Sequence, residues 1–183
     1  MIEPTKSNWV RISHKWKHGK SSLEKANRNE HPEVRYPNGH TTHLQQIEAT
    51  ESKRTLGVWQ SACGDETTQK DLLIQKIQTW GEKTSTKSLT KYEARTAIKQ
   101  TIGRIIRYPL AATALSKSEC IEVQKMMKKE TIGKTGAVQT APNAVVNAPS
   151  HLGGMGQASI YENQTIDHVV TMLQHLSEFF TVV

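Results

Sequence analysis

The sequence predicts an α+β fold, with a small N-terminal antiparallel β-hairpin unit followed by a bundle of three or four helices. Two observations support this prediction. Up to about residue 60, apolar and polar side chains alternate in short runs bounded by turn residues, as they do in strands. From about residue 66, apolar side chains recur at intervals of three and four, the spacing of amphipathic helices. The change in period therefore places the strands before the helices.

Three places near the N-terminus have the features of strands or hairpins. Residues 10–16 alternate in polarity and favour a strand, whereas the polar residues 21–31 favour a loop. The Asn-Gly pair at 38–39 is a strong hairpin signal, because both central residues of a type I′ turn need a positive φ. Residues 55–59 form another short strand, in which Gly57 indicates a bulge or a close approach of the backbone.

The first two helices are predicted from apolar periodicity and end signals. The first carries its apolar face over residues 73–80 and stops at Gly81. The second begins at Thr90, where Thr-Lys-Tyr-Glu has the pattern of a capping box, and Pro109 limits it. Its predicted buried stripe consists of Ile98, Ile102, Ile105 and Ile106.

Two further helices complete the predicted bundle. A capping box at Ser116 opens a helix that extends to about residue 131. The last helix runs from about 163 to 179, with a buried face of Ile166, Val169, Val170, Leu173, Leu176 and Phe180. The predicted organisation is a β-rich segment at 1–60, a helical segment at 61–132, a Gly/Pro/Ala-rich connection with a short strand at 145–146 over 133–160, and a C-terminal helix at 161–183.

The net charge of +7 is concentrated in the first 130 residues. Residues 1–60 hold ten basic and six acidic side chains, residues 61–130 hold thirteen and eight, and residues 131–183 hold one and three. The three segments therefore carry +4, +5 and −2. A basic excess of this kind favours an anionic partner such as nucleic acid, although solvated helix faces would give the same count.

Composition argues against several classes of protein. No apolar run approaches the roughly 20 residues that span a bilayer, and the N-terminus has no apolar signal-peptide core. Two cysteines far apart in the sequence are typical of reduced thiols. We therefore expect an intracellular protein, cytoplasmic or nuclear, that has no membrane partner.

The sequence offers little for metal binding or catalysis. The close His pairs at 14/18 and 40/43 have no third ligand at a zinc-like spacing. No Asp-Asp or Asp-x-Asp pair is present, and two-metal phosphoryl transfer needs paired carboxylates. We therefore predict no metal site, no cofactor, no catalytic residue and no small-molecule substrate.

The second predicted helix has a basic face. Lys91, Arg95 and Lys99 lie at i, i+4 and i+8, and Arg104 and Arg107 extend the charge towards the helix C-terminus. One face could then pack while the other follows a phosphate backbone. The alternative is that the cations near the C-terminus only complement the helix dipole.

Several short motifs follow one another along most of the chain. They are Lys53-Arg-Thr-Leu-Gly-Val-Trp59, Gly64-Asp-Glu66, Tyr108-Pro-Leu110, Thr113-Ala-Leu115, Ala148-Pro149 and Leu152-Gly-Gly-Met-Gly156. Their order and spacing, over about residues 8–175, resemble the region downstream of the catalytic palm in reverse transcriptases of non-LTR (LINE-type) retrotransposons. The ordered set, more than any one motif, carries the resemblance.

The resemblance implies contacts with nucleic acid. In that family the stretch that resembles Arg54-Thr-Leu-Gly57 is the primer grip, a β-hairpin that holds the end of the primer. The following helices resemble the thumb, which lies along the template–primer duplex through sequence-independent contacts. The residues expected to bind an RNA/DNA or DNA duplex are Lys53, Arg54, Thr55, Gly57, Lys91, Arg95, Lys99, Arg104 and Arg107.

The resemblance also implies that the chain is not an enzyme. The family's catalytic aspartates and their magnesium belong to the palm, which lies upstream of the region that this sequence resembles. We expect an isolated fragment, with an upstream palm polypeptide as a candidate partner.

Two alternatives stay open. One is a free-standing basic module that binds nucleic acid or protein and has no polymerase role. The other is a hydrolase that uses Cys63 or Cys120, which requires a His within hydrogen-bond reach of the thiol.

Overall fold

The structure, a computed structural model, describes residues 8–24, 32–36, 39–157 and 159–181. The described residues form two compact units. A β-rich unit contains those up to Thr55 together with Trp59–Asp65, and a helical unit contains Leu56–Val58 and those from Glu66 onwards. The predicted α+β class, with strands first and helices second, is confirmed.

Within the described part of the chain, eight short strands precede the first helix. They are β1 (Asn8–Val10), β2 (Ser13–Lys17), β3 (Lys20–Glu24), β4 (Glu33–Arg35), β5 (Thr41–His43), β6 (Gln45–Ile47), β7 (Ser52–Thr55) and β8 (Val58–Ser61). They form the two-stranded pairs β1–β6, β2–β3, β4–β5 and β7–β8. β2–β3 and β4–β5 are antiparallel hairpins, as predicted, whereas β1 and β6 pair in parallel.

The local strand predictions are correct at one hairpin and wrong at another. β4 and β5 pair antiparallel on either side of the Asn-Gly signal, although Asn38 itself lies outside the described residues. β2 and β3 pair around His18 and Gly19, which both have positive φ, so the segment 21–31 begins as a strand and not as a loop. Residues 11–12 interrupt the first predicted strand.

The helical unit contains six α-helices among its described residues. They are α1 (Thr67–Ser85), α2 (Lys91–Ala97), α3 (Gly103–Leu110), α4 (Lys117–Thr131), α5 (Asn143–Asn147) and α6 (Ile160–Thr181). A π-helical segment, Ile98–Ile102, joins α2 to α3, so these three elements together are the single second helix that the sequence predicts. Short 3₁₀ turns occur at Ile132–Thr135 and Ser150–Leu152. No helix in the described ranges has both the length and the apolar character needed to cross a membrane.

Both predicted capping boxes are present. The hydroxyl of Thr90 accepts the backbone N–H of Glu93, and the Glu93 carboxylate accepts the backbone N–H of Thr90 at 2.8 Å. Ser116 and Glu119 make the same reciprocal pair at the start of α4. Two of the four otherwise unpaired N–H groups at each helix start are thereby satisfied, which fixes where α2 and α4 begin.

Three other predictions of helix extent are wrong. Gly81 does not stop α1, which continues to Ser85; Gly81 is instead buried against the side chain of Glu130. Pro109 lies inside the last turn of α3 and does not end it. Residues 145–146 belong to α5 and not to a strand.

The main core of the helical unit lies where α1, α3, α4 and the π segment meet. Its buried members are Leu73, Ile77, Ile98, Ile102, Ile106, Leu110, Leu115, Cys120, Val123, Met127 and Ile160. Ile105, predicted in this stripe, is 40% exposed. The wider π turn changes the phase of the residues after it, so burial recurs every four residues from Ile98 to Leu110 and omits Ile105.

The predicted buried face of α6 is also wrong. Its apolar residues Ile166, Val169, Val170, Leu173 and Leu176 are 42–59% exposed, and the side chain of Phe180 lies outside the described residues. Polar groups face the body of the unit instead. Gln164 donates to the carbonyl of Leu115 at 2.9 Å, and His168 lies 2.9 Å from the carbonyl of Thr113.

Candidate nucleic-acid interface

The predicted binding residues are distributed over both units, so each set is described on its own. Lys53, Arg54 and Thr55 lie on β7 of the β-rich unit. Arg54 and Thr55 are exposed, whereas Lys53 is half-buried and lies 3.7 Å from the carboxylate of Glu51. An exposed ion pair of this length holds the lysine only weakly. All three side chains can therefore reach an anion from the surface of the strand.

Leu56 and Gly57 form the tip between β7 and β8, so residues 55–59 are not the single strand that the sequence predicts. Both residues belong to the helical unit. Both have positive φ, 49° and 89°, as the central residues of a type I′ hairpin turn require. Glycine adopts this conformation without cost, but leucine does not. Leu56 is nonetheless 87% exposed, so its side chain gains little from burial in compensation.

A tyrosine on α3 holds this tip. The Tyr108 hydroxyl donates a hydrogen bond of 2.7 Å to the carbonyl oxygen of Leu56. A Cβ added to Gly57 would lie 3.8 Å from the Tyr108 ring, so the ring covers the glycine at ordinary contact distance. Sequence reasoning did not single out Tyr108 as functional, although it lies in one of the motifs that carry the family resemblance.

The remaining predicted residues lie on α2, the π segment and α3. Arg95, Lys99 and Arg104 are exposed, while Ile98, Ile102 and Ile106 of the same elements are buried in the core. Lys91 is exposed too, but its alkyl chain lies against Gly136, beyond the end of α4. The structure thus places a row of cations on the helices that the sequence identified.

Arg95, Lys99 and Arg107 border a groove between these helices and the residues Met155–Gln157, Ile160 and Asn163, which we call the basic groove. One of its hollows, bordered by Lys99 and Arg107, has a cavity volume of about 250 Å³. A smaller hollow lies beside Arg95 and Lys99. The floor of the larger hollow is apolar and is made by Ile106, Leu110, Met127 and Ile160. The groove therefore combines a cationic edge with an apolar floor.

Gln157 lies between the two hollows and is 8% exposed. Its amide nitrogen donates to the Thr131 hydroxyl at 2.7 Å, while its amide oxygen is buried with no hydrogen-bond partner among the described residues. A buried carbonyl without a partner costs free energy. Sequence reasoning missed Gln157, because it lies in the Gly/Pro/Ala-rich connection and belongs to no motif associated with chemistry.

Arg107 differs from the other cations because it has an internal partner. Its guanidinium donates two hydrogen bonds to the Asp167 carboxylate, at 2.9 and 3.3 Å. The hydrogen bond and the nearby charge raise the pKa of Arg107 above its ordinary value. The Asp167 side chain is only 15% exposed, so this carboxylate neutralises most of the charge that Arg107 would offer a phosphate. Sequence reasoning missed Asp167, which lies 60 residues further along the chain.

Two exposed aromatic rings accompany the cations. Tyr92, next to Lys91, is 79% exposed, and Tyr108 is 62% exposed. Exposed rings beside basic side chains can stack on unpaired bases. They add a second kind of contact to the phosphate contacts that the cations provide.

The cysteine and metal alternatives gain no support from the geometry. Cys120 is buried, its thiol donates to the Leu115 carbonyl and the Gln164 amide oxygen at 3.8 Å, and burial raises its pKa. Cys63 lies 3.4 Å from the Ser61 hydroxyl. Neither arrangement is a cysteine–histidine pair. Among the described residues, no group of three or more His, Cys, Asp and Glu side chains could hold a metal ion.

Comparison of the chain with models of known protein families, with curated proteins and with solved structures gave no match. A function for this chain therefore has to be inferred from its residues and their geometry.

Proposed function

We propose that this chain is a reverse-transcriptase-derived fragment, related to the primer grip and thumb of non-LTR retrotransposon enzymes, that binds template–primer nucleic acid without sequence preference and catalyses no reaction itself. The observation that carries the proposal is the row of exposed cations formed by Arg95, Lys99 and Arg104. The same helical elements are anchored to the core through Ile98, Ile102 and Ile106. Cations fixed on a packed helix can contact phosphates at a low cost in backbone entropy.

The length of the row fits a nucleic-acid backbone. From Arg95 to Arg104 the chain advances about 14 Å along the helix axis. At about 3.4 Å per base pair, this distance corresponds to about four base pairs of duplex. None of the described residues that line the two hollows is acidic. Asp167 is already paired with Arg107, so it does not repel phosphate as a free charge would.

The experiment is a titration of the purified chain with a fluorescent RNA–DNA hybrid and with a DNA duplex, repeated over a range of salt concentrations. We expect binding that weakens steeply with salt. The double variant Arg95→Glu/Lys99→Glu should lower affinity at least tenfold. It should also reduce the slope of log K against log salt by about two, because each phosphate that a cation neutralises contributes about 0.9 to that slope.

The matched control reverses two other exposed cations at the same spacing. Lys125 and Lys129 lie four residues apart on α4, and Lys125→Glu/Lys129→Glu makes the same change in net charge. An equal loss of affinity in both double variants would show that binding depends on net charge alone and not on this face. Absence of binding by the unaltered chain at low salt would remove the proposed function.

The free-standing nucleic-acid module is the second candidate, and the exposed rings of Tyr92 and Tyr108 favour it. Stacking on bases requires unpaired nucleotides, whereas thumb-like contacts require a duplex. A single strand of the same length distinguishes the two. Tighter binding to the single strand, lost on Tyr92→Ala, would favour the free-standing module; tighter binding to the hybrid would favour the thumb-like fragment.

A further inference from the structure

Helix α6 is amphipathic, but its apolar side faces away from the body of the helical unit. Gln164, Asp167 and His168 make hydrogen bonds to α3 and to the segment that precedes α4. The other side exposes six apolar residues, each 42–63% accessible: Ile166, Val169, Val170, Met172, Leu173 and Leu176. Each of residues 172–177 is exposed, so this part of α6 extends beyond the packed body of its unit.

The exposed residues follow a heptad pattern. Ile166 and Leu173 are seven residues apart, as are Val169 and Leu176, so they occupy the a and d positions of two successive heptads. A repeat of seven keeps one seam of a helix facing another helix. The pattern therefore favours a helical partner for this face, which we call the α6 seam.

Charge excludes two other kinds of partner. The sequence of α6 contains no Lys or Arg, whereas interfacial helices that bind anionic membranes are rich in these residues. For the same reason the α6 seam does not attract the phosphate backbone of a nucleic acid.

The positions that flank the seam favour a second copy of the same chain. Charged residues at the flanking e and g positions set partner choice through salt bridges, and where both copies carry the same charge they repel an identical helix. Here these positions are occupied by Thr165, Val170, Met172 and Ser177, none of which is charged.

We infer that the α6 seam is a self-association surface, on which a second copy of this chain packs its own α6, helix against helix. Six half-exposed side chains provide several hundred Å² of apolar surface, less than the ~800 Å² per partner of a standard stable interface. The dimer should therefore be weak and should depend on concentration. Pairing also stabilises residues 172–177 of α6, which project beyond the packed body, since the stability of a helix in a protein comes mainly from the packing of its apolar face. The inference does not depend on the proposed binding of nucleic acid.

Sedimentation equilibrium of the full chain tests this inference. We expect the mass to rise with concentration from the monomer value of 20.5 kDa towards twice that value. Leu173→Glu should remain monomeric throughout, because it places a charge in the centre of the seam. Leu173 is 59% exposed and outside the core, so the variant should fold; Leu176→Glu is a second variant with the same expected effect.

The matched control is Gln174→Glu, which makes the same change in charge one residue along α6 and off the seam, and it should still dimerise. A chain that stays monomeric at every concentration would overturn the inference. An equal loss of the dimer in Gln174→Glu and in Leu173→Glu would also overturn the inference. Sedimentation with uncharged phosphatidylcholine vesicles provides a further check: a monomer that binds them through Leu173 would show that a lipid surface, and not a second copy, covers the seam.

Discussion

The hydroxyl of Tyr108 lies 2.7 Å from the carbonyl oxygen of Leu56, a residue held at a positive φ of 49°. A non-glycine residue in this conformation costs free energy that surrounding contacts must supply. The hydrogen bond is one such contact, since it fixes the peptide group that follows Leu56. Tyr108 thus helps to maintain the tip between β7 and β8.

Replacing Tyr108 by Phe removes this hydrogen bond and keeps the ring over Gly57. We expect Tyr108→Phe to lower the free energy of unfolding of the helical unit by about 0.5–1.5 kcal/mol, with faster amide exchange at Leu56–Val58. Urea denaturation and hydrogen exchange measure the two effects. Tyr92→Phe is the control, because that side chain is 79% exposed. Unchanged exchange at the tip would show that the turn is maintained by its strands alone.

Asp167→Asn removes the carboxylate that neutralises Arg107. We expect the freed guanidinium to strengthen binding to the RNA–DNA hybrid several-fold at low salt, since one more cation becomes available to phosphate. The gain should disappear in Asp167→Asn/Arg107→Gln. Asp71→Asn makes the same charge change at an exposed carboxylate 3.7 Å from Lys70 and controls for net charge. An equal gain in both single variants would contradict a specific role for Arg107.

The capping box of α2 predicts that the stability of this helix start depends on pH. Hydrogen bonds from the backbone N–H and the hydroxyl of Thr90 to the Glu93 carboxylate lower the pKa of Glu93 below its ordinary value of 4.5. Because the folded-state pKa is lowered, the stabilisation is present above the ordinary pKa and is lost as pH falls through the lowered one. The protection of amides at the start of α2, measured relative to their intrinsic exchange rate at each pH, should therefore fall on acidification.

Glu93→Gln should remove that acid-dependent step, and an NMR titration of the Glu93 carboxyl group should give the lowered pKa directly. Glu82→Gln is the matched control, because it removes an exposed carboxylate of α1 away from any cap. A step that persists in Glu93→Gln would assign the acid sensitivity to another group.

Gly154 should not tolerate a side chain. A Cβ at this position would collide with the backbone carbonyl group of Ala148, and backbone cannot move aside as a flexible side chain can. We expect Gly154→Ala to destabilise the helical unit by about 1–3 kcal/mol, as overpacking usually does. Gly133→Ala is the control, since a Cβ there meets nothing within 4 Å. Equal thermal unfolding midpoints in the two variants would contradict the close approach of Gly154 to the Ala148 backbone.

The most accurate predictions were those drawn from local signals in the sequence. The capping boxes at Thr90 and Ser116 depend on residues three positions apart, so the pattern alone fixes both helix starts. The basic residues Arg95, Lys99 and Arg104 were likewise identified from spacing on one helix. All three are exposed in the structure, and their contact with nucleic acid stays a prediction.

Features that depend on distant residues were missed. Neither the pairing of Arg107 with Asp167 nor the contact of Tyr108 with Leu56 leaves a signal in a single sequence, because each joins residues more than fifty positions apart. Periodicity also failed at α6. It identifies an apolar face, but it does not reveal whether that face packs within the chain, and here polar residues such as Gln164 make the internal contacts.

The π segment has a consequence for changes in chain length. The backbone N–H of Gly103 bonds to the carbonyl of Ile98, five residues earlier, so this turn contains one residue more than an α-helical turn. Deleting one exposed residue, such as Gln100, would allow an uninterrupted α-helix in which Ile98 and Ile106, now eight residues apart, become seven residues apart and still share one face. Ile106 would therefore stay in the core, and Arg104 and Arg107 would keep nearly their present directions. This stretch should accept a frame-preserving deletion of a single codon, a change that would rotate the far part of an ordinary α-helix by about 100°.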